Sequence, residues 1–208
     1  METKEYLRIL KEEIHSMVIA TVDRDGKPVT RVIDIMLTDE NSLYFITAKG
    51  KAFYAQLMEN PYVAISGMCG GEGTMNKKAV SIRGKAVNIG SARLKEVFEQ
   101  NPYMAEIYPQ EESRTALEVF QVAEGTGEFF DLSVKPIFRD TFVLGGSMAG
   151  QQGGYFITDR CHGCRICYSK CPQKCIDMSA RPFVIRQEHC LHCGNCMEAC
   201  PFGAVEQR

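Results

Sequence analysis

The chain lacks a strong charge of either sign and long apolar runs. Its 24 lysines and arginines nearly balance 26 aspartates and glutamates, and the formal charge of −2 gives no bulk attraction to nucleic acid. No apolar run approaches the length that a membrane-spanning helix needs. The polar residues 1–11 lack the basic and then apolar pattern of an export signal. We therefore expect a cytoplasmic protein that binds neither nucleic acid nor membrane.

Two further absences concern catalysis. No Gly-x-Gly-x-x-Gly pattern follows a predicted strand, which disfavours binding of a nicotinamide dinucleotide by a Rossmann domain. No constellation of side chains identifies a catalytic acid or base, so we predict no catalytic residue. The composition, 45% hydrophobic and 24% charged, is that of an ordinary globular protein.

Cysteine is the most informative residue that is present. Eight of the ten cysteines form two copies of one pattern: Cys161, Cys164, Cys167 and Cys171 before Pro172, and Cys190, Cys193, Cys196 and Cys200 before Pro201. This spacing is typical of a bacterial-type ferredoxin with two 4Fe-4S clusters, in which the fourth cysteine of each run ligates the other cluster. One cluster would take Cys161, Cys164, Cys167 and Cys200, and the other Cys190, Cys193, Cys196 and Cys171. Zinc and disulfides are less favoured, since a third cysteine follows each pair at once and nothing exports the chain to an oxidising compartment.

The other cysteines and the nearby histidines are not assigned to clusters. The repeats align as CPQKCI and CPFGAV, so Cys175 takes the position of Ala204, and we expect it to pack as a small buried residue. Cys69 is interpreted as a loop cysteine rather than a reactive thiol. Because four thiolates complete each cluster, we expect exposed loop residues at His162, His189 and His192.

Strand patterns dominate the residues before the cysteines. Two β-rich runs, 17–22 and 29–37, are joined by an Asp-Gly turn cluster. Further strands are predicted at 43–47, 63–68, 79–89 with a break at Gly84, 117–122 and 128–132. Short helices are predicted after a Thr3 cap, at 50–59 and after a Ser91 cap. A small closed or split barrel fits this pattern best, so we expect a mainly β (α+β) fold followed by a ferredoxin-like domain.

The order of these elements resembles the FMN-binding split-barrel family typified by pyridoxamine 5'-phosphate oxidase, over about residues 10–135. The matching segments are RVIDIM at 31–36, YFIT at 44–47, KGK at 49–51 and Asn-Pro at 60–61. The resemblance implies that the strand containing Arg31, Val32, Ile33 and Asp34 lies along the flavin, and that the segment of Ile46, Thr47, Lys49 and Lys51 holds its phosphate at a helix start. A phosphate there gains from free N–H groups, the helix dipole and nearby cations, although solvated surface lysines are the alternative.

Departures from that family narrow the expected activity. Lys49-Gly50-Lys51 replaces the Ser-Arg-Lys run of the oxidase, Ala79 stands where the oxidase has a flavin-contacting glutamine, and the C-terminal Trp and Arg of the oxidase are absent. Oxidation of pyridoxamine phosphate is therefore not expected. The ferredoxin domain argues against an oxidase that needs oxygen, so we expect an anaerobic setting.

The predicted domains are a flavin-binding barrel at 1–143, a Gly-rich linker at 144–157 and a 2x(4Fe-4S) ferredoxin domain at 158–208. The glycine-rich stretch could instead border the flavin pocket. The resemblance also implies a homodimer with flavin between the subunits.

The predicted function is that of an iron–sulfur flavoprotein that passes electrons between FMN and two 4Fe-4S clusters, as an FMN-dependent oxidoreductase of a small substrate. The alternatives are a non-catalytic electron-transfer protein and a redox or oxygen sensor, and a deazaflavin is the alternative to FMN. The electron donor and acceptor, either a redox protein or a small molecule, are not identified by the sequence.

Overall fold

The computed structural model describes residues 1–146 and 153–208, which form two compact units. The first unit contains Met1–Gly71, Ala79–Phe129 and the end of strand β8 (Phe138–Leu144). The second contains Glu72–Lys78, Phe130–Thr141 and the described C-terminal residues from 153 onward.

One large sheet dominates the described residues 1–146. Its strands are β1 (Ser16–Val22), β2 (Pro28–Asp34), β3 (Leu37–Thr38), β4 (Leu43–Ala48), β5 (Tyr62–Gly70), β6 (Lys77–Asn88), β7 (Leu117–Asp131) and β8. Their order is β2-β1-β5-β6-β7-β4-β3, with β8 paired to β7. The pairs β1–β2, β1–β5, β3–β4 and β4–β7 are antiparallel. The mainly β half-barrel sheet confirms the predicted fold class.

The predicted hairpin between β1 and β2 forms around one aspartate. Asp23 Oδ1 accepts hydrogen bonds from the backbone N–H groups of Asp25 (3.0 Å) and Lys27 (2.8 Å). Gly26 takes a φ of +76°, which glycine adopts without steric cost. The local turn chemistry therefore fixes the register in which β2 follows β1.

The helices are short, as expected, but two predicted caps are wrong. They are α1 (Thr3–Arg8), continued by a π-helical segment (Ile9–Ile14), α2 (Ala52–Glu59), α3 (Leu94–Gln100), α4 (Met104–Ile107) and α5 (Glu111–Arg114). Glu2, not Thr3, caps α1 in a capping box with Glu5, while the Thr3 hydroxyl donates to the Val143 carbonyl (3.0 Å). The N-cap of α3 is Arg93, two residues after Ser91.

Gly84 does not break its strand, since β6 continues through it. A Cβ atom at Gly84 would lie 2.4 Å from the Glu124 carbonyl oxygen, and one at Gly125 would lie 2.4 Å from the Arg83 oxygen. The two glycines therefore allow β6 and β7 to approach closely. The separate strands predicted at 117–122 and 128–132 are likewise parts of the single strand β7.

Aromatic and aliphatic side chains form the interior of the first unit. The Tyr6 ring stacks on Phe142 (centroids 4.5 Å apart) and tilts against Phe129 (5.1 Å). A second cluster contains Met36, Leu37, Tyr44, Val97, Phe98, Met104, Leu117 and Val119. Within the part of the chain that the structure describes, no helix has the length and apolar character needed to cross a membrane.

Four short strands, two short α-helices and a 3-10 helix (Gln187–His189) lie among residues 153–208. Strand β9 (Tyr155–Ile157) pairs with β12 (Val205–Gln207), and β10 (Ile176–Asp177) pairs with β11 (Val184–Ile185). The helices are α6 (Ile166–Lys170) and α7 (Asn195–Glu198). Of the linker predicted at 144–157, residues 147–152 lie outside the described residues, and β9 occupies its last three positions.

Candidate functional site

The eight patterned cysteines border two cavities within the second unit. The first thiol cavity is lined by Cys161, Cys164, Cys167 and Cys200. The second thiol cavity is lined by Cys190, Cys193, Cys196 and Cys171. Each cavity therefore takes three thiols from one run and the fourth from the other run, which is the grouping that the sequence predicts.

The same backbone bend shapes both runs. Arg165 (φ +65°) and Gly194 (φ +80°) follow the second cysteine of their runs and adopt left-handed conformations, immediately before α6 and α7. The third cysteines, Cys167 and Cys196, lie on these helices and are buried. Among the described residues, no three or more His, Cys, Asp or Glu side chains are arranged to hold a single metal ion. The thiols instead surround cavities.

A fifth cysteine borders the second thiol cavity. Cys175 is 4% exposed, as predicted, and its Sγ lies 3.5 Å from the Cys171 Sγ. A hydrogen bond between Cys175 and Cys190 raises the pKa of Cys175 and lowers the pKa of Cys190. The interaction favours the thiolate at Cys190, which is the form that binds metals. Cys69, predicted in a loop, lies instead in β5.

The three histidines beside the cysteines differ in their surroundings. His162 is exposed and packs on Phe202 (ring centroids 4.3 Å apart). His189 and His192 are partly buried, so their interpretation as exposed loop residues is wrong. His189 Nδ1 donates to the Ile137 carbonyl (3.0 Å), and His192 Nε2 accepts from Arg139 Nη1 (2.7 Å). These partners come from far earlier in the chain, so local sequence gives no signal of them.

A different group of predicted residues lies at the start of α2 in the first unit. Thr47 is 3% exposed, and its Oγ1 has no hydrogen-bond partner among the described residues. Lys49 and Lys51 are exposed, and Lys51 is the N-cap of α2, which has no side-chain cap. The N–H groups of the first helical turn have no intrahelical partners. A hydroxyl, backbone donors and two cations are therefore available together, the set that favours a phosphate.

Arg31 contacts the same helix but already has protein partners. Its guanidinium donates to Thr21 Oγ1 (2.6 Å) and Gln56 Oε1 (2.8 Å) and lies over the Phe53 ring at 4.4 Å. Burial lowers the pKa of Arg31. Gln56 and Phe53, both on α2, are residues that the sequence analysis missed, because side chains that cross from a strand to a helix leave no local pattern.

The remaining residues predicted on β2 point to two different faces. Because β-strand side chains alternate, Ile33 shares the face of Arg31, while Val32 and Asp34 lie on the other. Val32 is 66% exposed. β2 ends the sheet order, and an edge strand has one row of backbone N–H and C=O groups without a strand partner.

Asp34 belongs to a polar group of its own. Its Oδ1 accepts from Ser16 Oγ (2.6 Å) and its Oδ2 from the Tyr103 hydroxyl (2.8 Å), and His15 Nε2 lies 3.6 Å from Oδ2. Burial and the hydrogen bond to Asp34 raise the pKa of Tyr103. His15 has a φ of +58°. The sequence analysis did not single out His15 or Tyr103.

The neighbours of Thr47 in the sheet complete this region. Glu118 lies opposite Thr47 in the β4–β7 register. Hydrogen bonds from Asn88 (2.6 Å) and Tyr54 (2.7 Å) lower the pKa of Glu118, and the charge of Lys49 acts in the same direction. Ile46 instead packs against the apolar cluster around Val119.

Comparisons with known proteins agree with both parts of this description. A family model for pyridoxamine 5'-phosphate oxidase matches residues 3–129, which is more than half of the chain. A 4Fe-4S dicluster domain model matches residues 160–204. The predicted fusion of a split barrel with a ferredoxin domain is thus confirmed.

Curated relatives match parts of the chain. A pyridoxine/pyridoxamine 5'-phosphate oxidase of Mycolicibacterium gilvum is 26% identical over 131 residues, 60% of this chain and 58% of that protein. Another, from Christiangramia forsetii, is 33% identical over 91 residues, 44% of this chain and 41% of that protein. The chain thus spans roughly half the length of these curated relatives.

Among solved structures, a protein of the NimC/NimA family from Clostridium acetobutylicum superposes with a TM-score of 0.55 at 25% identity, over 68% of this chain and 92% of that one. This likeness covers nearly all of the solved protein. Together with the family match over residues 3–129, it establishes that the chain belongs to the pyridoxamine 5'-phosphate oxidase family and carries a 4Fe-4S dicluster domain after its barrel.

Proposed function

We propose that the protein is an iron–sulfur flavoprotein in which FMN and two 4Fe-4S clusters exchange electrons. FMN supplies two-electron chemistry, while each cluster carries one electron. The proposal rests on one observation: the chain contains both two cavities lined by the patterned cysteines and a helix start without a side-chain cap, which follows a buried hydroxyl that has no partner among the described residues.

The cysteine grouping supports specific ligand sets. Cys161, Cys164, Cys167 and Cys200 would hold the first cluster, and Cys190, Cys193, Cys196 and Cys171 the second. Four thiols per cavity is the donor set that a 4Fe-4S cluster requires. Cys175 stays outside both sets, because its counterpart in the other repeat is Ala204, which also borders a cavity but offers no ligand.

The start of α2 supports binding of the flavin phosphate. The Thr47 hydroxyl would donate the hydrogen bond that it lacks, the first turn of α2 would donate backbone N–H groups, and Lys49 and Lys51 would supply positive charge. Arg31 would act less directly, since its donors already hold Thr21 and Gln56. The unpaired backbone row of the edge strand β2 is available to the flavin ring.

A second copy of the chain would cover the outer face of β2 and β1. Val18 and Val32 are opposite one another in the register and are 43% and 66% exposed. Contiguous exposed apolar surface marks protein interfaces, and this cross-strand pair would contribute to such a surface. We therefore keep the homodimer as part of the proposal.

The proposed reaction is an FMN-dependent reduction or oxidation of a small substrate in an anaerobic cytoplasm. A non-catalytic electron-transfer protein is the second candidate. Exposed apolar side chains beside the first thiol cavity favour it, because Ile166 and Phe202 are 38% and 42% exposed and would suit a docking partner. Transfer of electrons to a ferredoxin without turnover of any small acceptor would support this candidate instead.

The test is an anaerobic purification followed by assays of iron, sulfide and released flavin. We expect about eight irons per chain, as two 4Fe-4S clusters require, and about one FMN identified by mass, in place of a deazaflavin. Iron without any flavin would refute the flavoprotein proposal. Flavin without iron would refute the cluster assignment.

A further inference from the structure

A short segment covered by neither family model contacts the loops of the second thiol cavity. Residues 130–141 lie between the matched ranges 3–129 and 160–204 and belong to the same compact unit as the cysteines. The Ile137 N–H donates to Gln173 Oε1 (2.9 Å), and its carbonyl accepts from His189 Nδ1 (3.0 Å). Arg139 Nη1 donates to His192 Nε2 (2.7 Å). Ile137 makes two of these hydrogen bonds and Arg139 makes the third. Together they join the segment to three separate residues of the ferredoxin part.

All three contacted residues lie within two positions of cysteines that border one cavity. Gln173 follows Cys171 by two positions, His189 immediately precedes Cys190, and His192 immediately precedes Cys193. These cysteines all border the second thiol cavity. These three contacts therefore all lie beside the second of the two proposed clusters.

The two repeats differ at the position of His192. Its counterpart in the first run is Gly163, where an added Cβ would lie 2.5 Å from Arg181 Nε. Both positions have a positive φ, +54° at His192 and +75° at Gly163. The arginine beside the first run comes from the ferredoxin part itself, whereas Arg139 reaches the second run from β8.

We propose that Arg139 is a positioning residue of the second cluster, which orients the Cys190–Cys193 loop through His192 and raises the reduction potential of that cluster by its fixed positive charge. The inference rests on the proposed cluster assignment. A one-electron reductant adds one negative charge to the site, with no bond formed or broken. A nearby cation stabilises the more negative state, and net charge is among the factors that set cluster potentials.

Negative charges in the groove beside Arg139 and His192 act to lower the reduction potential. Asp140 and Glu188 line it together with Arg139 and His192. Replacing Arg139 with a neutral residue would remove a positive charge from beside the Cys190–Cys193 loop while both carboxylates stay, so the reduction potential should move in the negative direction.

The experiment is a stepwise reduction of the full-length holoprotein with dithionite, followed by electron paramagnetic resonance. In Arg139→Gln we expect unchanged iron content, a negative shift of one of the two cluster midpoints and no shift of the other. Arg139→Lys keeps the charge and should restore most of the midpoint. As a matched control, Arg208→Gln removes an exposed arginine of the same unit that pairs with Glu206, and should leave both midpoints unchanged.

Three results would overturn the inference: both midpoints unchanged in Arg139→Gln, both shifted equally, or a midpoint in Arg139→Lys as low as that in the glutamine variant. If Arg139→Gln loses half of its iron, the test rests on Arg139→Lys alone. A midpoint near that of the wild type would support the inference, and a lowered midpoint would contradict it. A wild-type protein without clusters would instead refute the proposed function.

Discussion

At the scale of single residues, the buried hydroxyl of Thr47 lacks a hydrogen-bond partner among the described residues. A buried hydroxyl without a hydrogen-bond partner carries an uncompensated desolvation cost. Thr47 Oγ1 is in this state among the described residues, while the nearby Thr21 Oγ1 both accepts from Arg31 and donates to Gln56. An anion bound at the start of α2 would give Thr47 the partner that it lacks.

Thr47→Val should therefore separate stability from ligand binding. We expect the free energy of unfolding of the flavin-free protein to stay unchanged or rise, because no hydrogen bond is lost. The affinity for FMN should fall about ten- to a hundredfold, since a hydrogen bond to a charged group contributes about 1.5–3 kcal/mol. Flavin fluorescence titration and chemical unfolding measure the two effects.

Thr21→Val is the matched control for this prediction. It removes a hydroxyl with two partners and should reduce the free energy of unfolding by about 1–3 kcal/mol. Equal FMN affinity in Thr47→Val and the wild type would exclude Thr47 from the phosphate site.

The spacing of the cysteines predicted which of them would lie together, and the structure places them around two cavities in those groups. The backbone bends at Arg165 and Gly194 that shape each run are local. The hydrogen bonds of Arg31 and the interaction of Tyr103 with Asp34 join residues 10 to 69 positions apart. No periodicity reports such contacts, so the sequence analysis identified neither the partners of Arg31 nor the pair of Tyr103 and Asp34.

At the scale of elements, the difference between local patterns and contacts of distant residues explains why a strand break was wrongly predicted at Gly84. Alternating apolar residues correctly predicted β6 and most of β7. The glycine was interpreted as a local break, yet its reason is the close approach of the β7 backbone at Glu124. The need for glycine there arises only when β6 and β7 pack together. It cannot be read from the sequence of either strand alone.

Gly84→Ala should accordingly destabilise the first unit. The added methyl group would meet the Glu124 carbonyl oxygen, and overpacking of this kind costs about 1–3 kcal/mol. Chemical denaturation measures the loss. Gly50→Ala is the control, since nothing lies within 4 Å of a Cβ there, and its stability should match the wild type. If Gly84→Ala is equally stable, the strands do not require the close approach.

At the scale of the whole molecule, the proposed homodimer depends on an exposed apolar pair. Val32→Glu places a charge at a side chain that is 66% exposed, so it should leave the fold of the monomer intact. A charge buried in an interface is costly without a partner, and we expect the dimer to weaken at least tenfold, by sedimentation velocity. The comparable Val184→Glu, at a position 60% exposed in the second unit, should remain a dimer. A wild-type monomer at all concentrations would contradict the proposal.

The exchange of cysteines between the two runs has a consequence for how the C-terminal part can be divided. Each cavity closes with a thiol that the opposite run contributes. A chain shortened to a single run would therefore place only three thiols of that run around one cavity. The fourth thiol of the run would have no cavity to complete. Neither run can supply a complete set of four ligands without the other. The smallest part of the chain able to do so contains both runs.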